Sequence, residues 1–213
     1  MSAHRPTLYA HFTGGYGASV LDLAAARARL RPIAGPGQAI LRAFARGRRS
    51  LAYLRSGSEG IAAQLRATTA DHAAILREYG ASVGEDVSIP GPLQIVNAGN
   101  DFSRLVIGDG VHLGTDVLID LADAVTIEAQ ATLSMRCTLI THIDVGPGPL
   151  RERRPREQAP LRIGAGAYLG TGATVLHGVT VGEGATVGAH ALVAKDVPPG
   201  ATVVSPPARL VPR

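Results

Sequence analysis

From Ile163 to Pro198 an aliphatic residue returns at every sixth position: Ile163, Leu169, Val175, Val181, Val187 and Val193. Four places after each stands a small or β-branched residue, at Ala167, Ala173, Val179, Ala185, Ala191 and Val197. Glycine commonly follows the aliphatic marker, as at Gly164, Gly170, Gly182 and Gly188. An amphipathic helix needs apolar residues three and four apart, and a hairpin sheet needs alternation broken by turns. A constant step of six fits neither. It predicts a parallel β-helix, in which three short flats make one triangular coil and each marker points into the prism. The corners then take small or turn-tolerant residues, and coils stack about 4.8 Å apart through backbone hydrogen bonds.

The composition agrees with a slim prism. Of 213 residues, 46% are hydrophobic but only 4% aromatic, tryptophan is absent, and 26 glycines can serve the corners. The net charge is +4 and the isoelectric point is near 9.7. No basic stripe is interleaved with aromatics, so nucleic acid is not an expected partner. A basic surface suits a phosphorylated cofactor, an acidic carrier protein or an anionic sugar. The single Cys137 excludes an internal disulfide framework. The opening MSAHRPTLYAHF has no apolar leader, and no apolar run reaches membrane-spanning length, so a cytoplasmic protein with no transmembrane segment is expected.

Residues 1–80 read differently from the rest, as an α-helical N-terminal region. Ser19 to Leu30, Gln38 to Leu54 and Glu59 to Tyr79 carry helical spacing, with breaks expected at Gly35-Pro36-Gly37 and Ser56-Gly57-Ser58. Ile61, Leu65, Ala73, Leu76 and Tyr79 could share one apolar face. Arg42, Arg46, Arg48, Arg49 and Arg55 make the middle helix basic, either as a solvated face or as a docking surface for an anionic lipid or carrier protein.

Residues 81–213 form the second expected domain. The repeat enters at Val83, Ile89 and Ile95, misses at Asp101, and returns at Ile107, Leu113 and Ile119, so Asn97 to Arg104 should loop out. The next step, to Ile127, is eight residues, which places a bulge at Asp120-Leu121-Ala122-Asp123-Ala124. Counting one coil forward from Ile119 reaches Leu139, so the bulge should lie beside Thr141-His142. After His142 the repeat stops, then resumes in phase at Ile163. The intervening 143–161, with Arg151, Arg153, Arg154 and Arg156, is read as a loop protruding from a corner, where function concentrates. Pro198 to Arg213 should cap the open end of the prism.

His142 sits where chemistry is expected, at a coil end, at the base of the loop and beside the bulge. Histidine is the usual general base for a hydroxyl or amine nucleophile, and Asp120, Asp123 or Asp144 could orient its ring. Position alone also allows a plain exposed corner histidine. His177 and His190 read as structural corner residues, His112 as outward-pointing, and His4, His11 and His72 belong to the N-terminal region. Cys137 occupies an inward position and is expected in the core rather than as a nucleophile. The spacing of His112, His142, His177 and His190 offers no close pair, so no metal site is expected.

The segments Ile163 to Gly170, Gly178 to Gly182, Val187-Gly188-Ala189, Ala194-Lys195-Asp196-Val197-Pro198-Pro199 and Pro207-Ala208-Arg209 resemble the hexapeptide-repeat acyltransferases. The likeness is to their maltose and galactoside O-acetyltransferase branch, and it runs from about Val83 to the end. It implies a mainly β, left-handed parallel β-helix, a homotrimer with active sites between neighbouring prisms, and acetyl-CoA or another acyl-CoA as co-substrate. By position, Tyr168 (where relatives carry tryptophan), Thr171, Ala189, Ala194, Lys195 and Arg209 fall where relatives meet the coenzyme. Asp116 falls where relatives place an acceptor-binding asparagine, the Asp120-to-Asp123 bulge falls near their acceptor-binding aspartate, and His142 takes the place of the catalytic histidine. The reading is acyl transfer to a hydroxyl of a sugar or natural product, directly and without an acyl-enzyme. An acyl-carrier-protein donor and a non-catalytic β-helix binding or assembly module are the alternatives.

Overall fold

The computed structural model describes residues 36–67 and 71–206. The chain divides into two compact units, 1–46 and 47–213, and among the described residues the second holds every strand and every candidate site residue. The helix expected at Ser19 to Leu30, His4, His11 and Arg209 lie outside the described residues.

Helix α1 (Pro36–Ala67) is interrupted at Gly57, whose φ of 57° and ψ of −149° leave helical space. Glycine alone makes that excursion cheaply, so the break expected at Ser56-Gly57-Ser58 narrows to one residue. The single helix expected from Glu59 to Tyr79 is instead two. Helix α1 ends at Ala67, and α2 (His72–Glu78) starts afresh on Asp71, whose Oδ1 accepts from the Ala74 amide at 3.0 Å. An aspartate cap satisfies a free helix-start amide, which a continuous helix would not need. The apolar face shifts with it. Ile61, Leu65, Ile75 and Leu76 are buried, and so is His72, whereas Ala73 and Tyr79 are only half-buried. Ile61, Leu65, Ile75 and Leu76 pack into the same core as the strands that follow.

From Ser82 onward the chain winds as a parallel β-helix. Its first face stacks Ser82–Val83, Leu105–Ile107, Val125–Ile127, Leu161–Ile163 and Thr180–Val181. The second stacks His112–Leu113, Thr132–Leu133, Tyr168–Leu169, Thr186–Val187 and Thr202–Val203, and the third Leu93–Val96, Val117–Asp120, Thr138–Leu139, Thr174–Val175 and Leu192–Val193. All pairings along these faces are parallel. Markers Ile95, Ile107, Leu113, Ile119, Ile127, Leu133, Leu139 and Ile163 through Val193 are buried, while Val83 and Ile89 in the first coil are half-buried. The glycine after a marker has a steric reason: a Cβ on Gly164 would lie 2.6 Å from the Glu183 amide nitrogen of the next coil. Coil spacing, rather than backbone dihedral, demands glycine there.

Register follows the count made from sequence. Ile119 pairs with Leu139, and Leu139 with Val175, so the eight-residue step is absorbed at the corner. Asn97 to Arg104 leaves the strands, with Phe102 turned fully into the core. Residues 143–161 do protrude, but as a hairpin: His142–Ile143 pairs antiparallel with Glu157–Gln158, and Pro149–Glu152 forms a 3-10 turn at the far side. The start of the expected cap still belongs to the prism, because Thr202–Val203 pairs in parallel with Thr186–Val187. Its hexad spacing is hidden by prolines that sit at corners rather than in strands.

Candidate active site

Three successive coils place unusual side chains on one edge of the prism, where the third face turns back to the first. Asn97 follows the first of these strands directly, Asp120 ends the second, and Thr141-His142 stand just past the third. Val96 pairs with Asp120, which stacks the three ends over one another. The Asp120 side chain is only 1% exposed, that of His142 23%.

The Asp120 carboxylate is fully engaged. Its Oδ1 accepts from Asn97 Nδ2 at 2.8 Å and from the Ala122 amide at 3.2 Å. Its Oδ2 accepts from the Thr141 amide at 2.9 Å and lies 2.6 Å from His142 Nδ1. Thr141 Oγ1, 3.0 Å from both Oδ2 and the Asp120 carbonyl, donates to one of them and accepts from the Asp123 amide at 3.0 Å. Burial pushes the Asp120 carboxyl up, but the hydrogen bonds from Asn97, His142 and Thr141 outweigh it and hold the group below the usual carboxylate range. An ionised carboxylate only accepts, so Nδ1 carries the proton toward Asp120 and Nε2 is left as the basic nitrogen.

Of the three aspartates that could orient the ring, the structure brings Asp120 to it. Asp123 Oδ1 accepts from the Ala124 amide at 2.7 Å and shapes the bulge. Asp144 is spent in the hairpin, accepting from the Gly146 amide at 2.8 Å and lying 3.8 Å from Arg156. Asp116 is half-buried at the other end of the strand from Asp120, with a left-handed φ of 58°. Four extended steps along the chain separate the two, about 13 Å. Within one protomer, then, Asp116 and His142 stand on opposite edges of the third face.

The residues matched to a coenzyme site divide the same way. Ala194 and Lys195 are exposed on the edge of His142, two coils farther along, about 10 Å by strand spacing. Both line a groove of about 510 Å³ with Leu192, Val204 and Pro206. Thr171 and Ala189 lie on the opposite edge, and Tyr168 is exposed on the second face, its hydroxyl accepting from Ser134 Oγ at 3.0 Å. Cys137 is fully buried, and burial pushes its thiol up to about 11, which suits packing and not nucleophilic attack. Asn97 was legible only as the start of a loop, through the missed hexad at Asp101, and Thr141 only by its place beside the bulge, with no sign of its bonds to Asp120.

The comparisons with known proteins follow this geometry. Residues 160–195 match the family described as bacterial transferase hexapeptide (six repeats). No curated protein sequence matches. Among solved structures, a hexapeptide-repeat-containing acetyltransferase from Vibrio cholerae aligns at 20% identity with a TM-score of 0.61, covering 77% of this chain and 89% of that one. A maltose O-acetyltransferase from Clostridium difficile aligns at 20% identity and 0.59, over 76% and 84% of the two chains. A galactoside acetyltransferase in complex with coenzyme A aligns at 21% and 0.60, over 76% and 80%. Residues 160–195 thus carry the bacterial transferase hexapeptide repeat, and the chain shares the fold of these acetyltransferases.

Proposed function

We propose that the protein is an acyltransferase that moves an acyl group from acyl-CoA to a hydroxyl acceptor, with His142 as general base. The observation that carries this reading is the Asp120–His142 pair. A buried carboxylate fixes the ring at 2.6 Å, at the foot of a protruding hairpin, and the 510 Å³ groove opens two coils farther along, across the last strand of the third face. The groove suits the coenzyme, since Leu192, Val204 and Pro206 offer an apolar wall for a pantetheine arm and Lys195 a cation for a phosphate. Acyl-CoA supplies the electrophilic thioester carbonyl. His142 Nε2 takes the acceptor's proton as the oxygen attacks, Asp120 stabilises the resulting imidazolium, and the imidazolium passes the proton to the coenzyme's sulfur as the C–S bond breaks. Such base catalysis contributes on the order of 10²–10⁴-fold. Direct transfer suits a site in which Cys137 is sealed away.

The placement of Thr171 and Ala189 on one edge and Ala194, Lys195 and His142 on another favours a site shared between prisms, hence a homotrimer. Asp116 would then reach the acceptor from a neighbouring subunit, a sugar or natural product fits the polar bulge of Asp120 to Asp123, and a cytoplasmic setting matches the acyl-CoA donor. A second reading, an acyl-carrier-protein donor, is favoured by Arg151, Arg153, Arg154 and Arg156, all exposed on the hairpin beside His142. Thiol release from acyl-CoA with a panel of hydroxylated acceptors tests the main reading. His142→Ala is expected to lose transfer while still binding coenzyme A, and full activity in that variant would overturn the assignment.

A further inference from the structure

We infer that Asn97 is a positioning residue for His142, acting through Asp120, and that helix α1 sets its place by pinning the loop it begins. The inference rests on the reading of His142 as the base. Asp120 divides its two oxygens between two tasks. Oδ2 faces the His142 ring at 2.6 Å, and Oδ1 is tied by Asn97 Nδ2 at 2.8 Å. Without Asn97, Oδ1 would keep only the longer 3.2 Å bond from the Ala122 amide, and the carboxylate could tilt and carry the imidazole with it. Held by both donors, it fixes the plane in which Nε2 points.

Asn97 reaches Asp120 from a backbone at φ 57°, a left-handed conformation that asparagine tolerates better than most residues. Its loop, Asn97 to Arg104, is the one place in the early coils where the hexad is missed. That loop is anchored from outside the prism. Ser58 Oγ donates to the Gly99 carbonyl and Tyr53 Oη to the Asn100 carbonyl at 3.1 Å. Tyr53 in turn packs on Tyr79, ring centroids 5.2 Å apart, and the Phe102 amide donates to the Tyr79 carbonyl at 2.9 Å. Ser58 follows directly on the Gly57 break, so the kink delivers its hydroxyl to the loop. A chain of contacts therefore runs from α1 through Gly99 and Asn97 to Asp120 and the ring.

The effect on the base has a definite sign. Each donor to Asp120 draws off negative charge and weakens the pull of the carboxylate on the imidazolium. The other charged groups nearby are Arg104, which donates to the carbonyls of Leu121 and Ala122, Asp123, bound to the Ala124 amide, and the Asp144–Arg156 pair. None of them hydrogen-bonds Oδ1. Removing the Asn97 amide should leave a more basic Asp120, and His142 should hold its proton to higher pH.

Asn97→Gly tests this in the full chain, because glycine keeps the left-handed backbone and removes only the amide. The expected result is a fall in kcat of about tenfold with KM for acyl-CoA unchanged, a part of the roughly 10²–10⁴-fold that base catalysis contributes. The acidic limb of the rate profile should move to higher pH, and the His142 imidazole should titrate at higher pH by NMR than in the wild type. Asn97→Asp, which sets a second carboxylate there, should move the titration further the same way, and Ser58→Ala should move it less. If Asn97→Gly merely melts lower while its imidazole titration overlays the wild type, Asn97 is structural filler and the inference fails. If the wild type transfers no acyl group from any donor, the acyltransferase reading fails, and the NMR titration still decides the role of Asn97.

Discussion

Two edges of the same prism are built in opposite ways. Where the first face turns to the second, Asp86, Gly110, Gln130, Gly166, Gly184 and Gly200 all take φ between 54° and 67°. On that edge the amides of Gly110, Gln130, Gly166, Gly184 and Gly200 each reach a carbonyl in the preceding coil at 2.8–2.9 Å. The backbone satisfies itself coil after coil, and side chains are free to be small. Where the third face turns to the first, the same coils carry an eight-residue loop, a bulge and a hairpin. There the side chains of Asn97, Asp120 and Thr141 make bonds that backbone makes elsewhere. A repeat interrupted on only one of its edges keeps its scaffold and concentrates polar side chains at that edge. Buried polar groups in such a place must be fully paired, and that pairing aims the one ring left half-open.

The contrast can be broken most sharply at Asp120. Asp120→Asn should lower the turnover of the proposed acyl transfer by at least about 100-fold, since the ring loses the partner that fixes its tautomer. Retained turnover would detach the irregular edge from the chemistry. The same carboxylate gives a pH signature. Its folded-state value is depressed, so its contribution to stability is complete above the ordinary carboxylate range and is lost as pH falls through that range toward the folded value. Denaturant midpoints measured from neutral pH down to about 3 should fall more steeply for the wild type than for Asp120→Asn.

On the regular part of the prism the effects should appear in stability and leave chemistry alone. Leu169→Ala, deleting a fully buried marker, should cost about 2–5 kcal/mol in chemical denaturation. Gly164→Ala forces a Cβ to within 2.6 Å of the next coil and should cost about 1–3 kcal/mol, with unchanged turnover per folded molecule. Gly184→Ala meets no atom within 4 Å, so only its φ of 63° resists, for about 1–2 kcal/mol. A larger loss at Gly184 than at Gly164 would reverse the steric account of the repeat.

The smallest effect on stability belongs to the hairpin. Reversing the charges of Arg151, Arg153 and Arg154 together should shift unfolding by no more than about 1 kcal/mol, because all three are exposed. If a carrier protein delivers the acyl group, the triple variant should lose transfer from the acylated carrier while keeping transfer from acyl-CoA. Equal rates with both donors would remove the hairpin from donor recognition.

The sequence by itself determined the prism: the step of six, the phase kept across 143–161, and the pairing of Ile119 with Leu139 all follow from which residues must face a common interior. It also marked the edge to examine, because a corner with two extra residues cannot be a plain corner. Tertiary structure alone decided which aspartate serves the ring, sending Asp144 into the hairpin and Asp123 into its own bulge while seating Asp120 under His142. It alone brought the Asn97 amide to Asp120 and bound Thr141 to the same carboxylate. The reason is that a periodic pattern reports only inward and outward. Hydrogen bonds between stacked coils depend on angles and on left-handed turns a coil away, and no local run of residues encodes those.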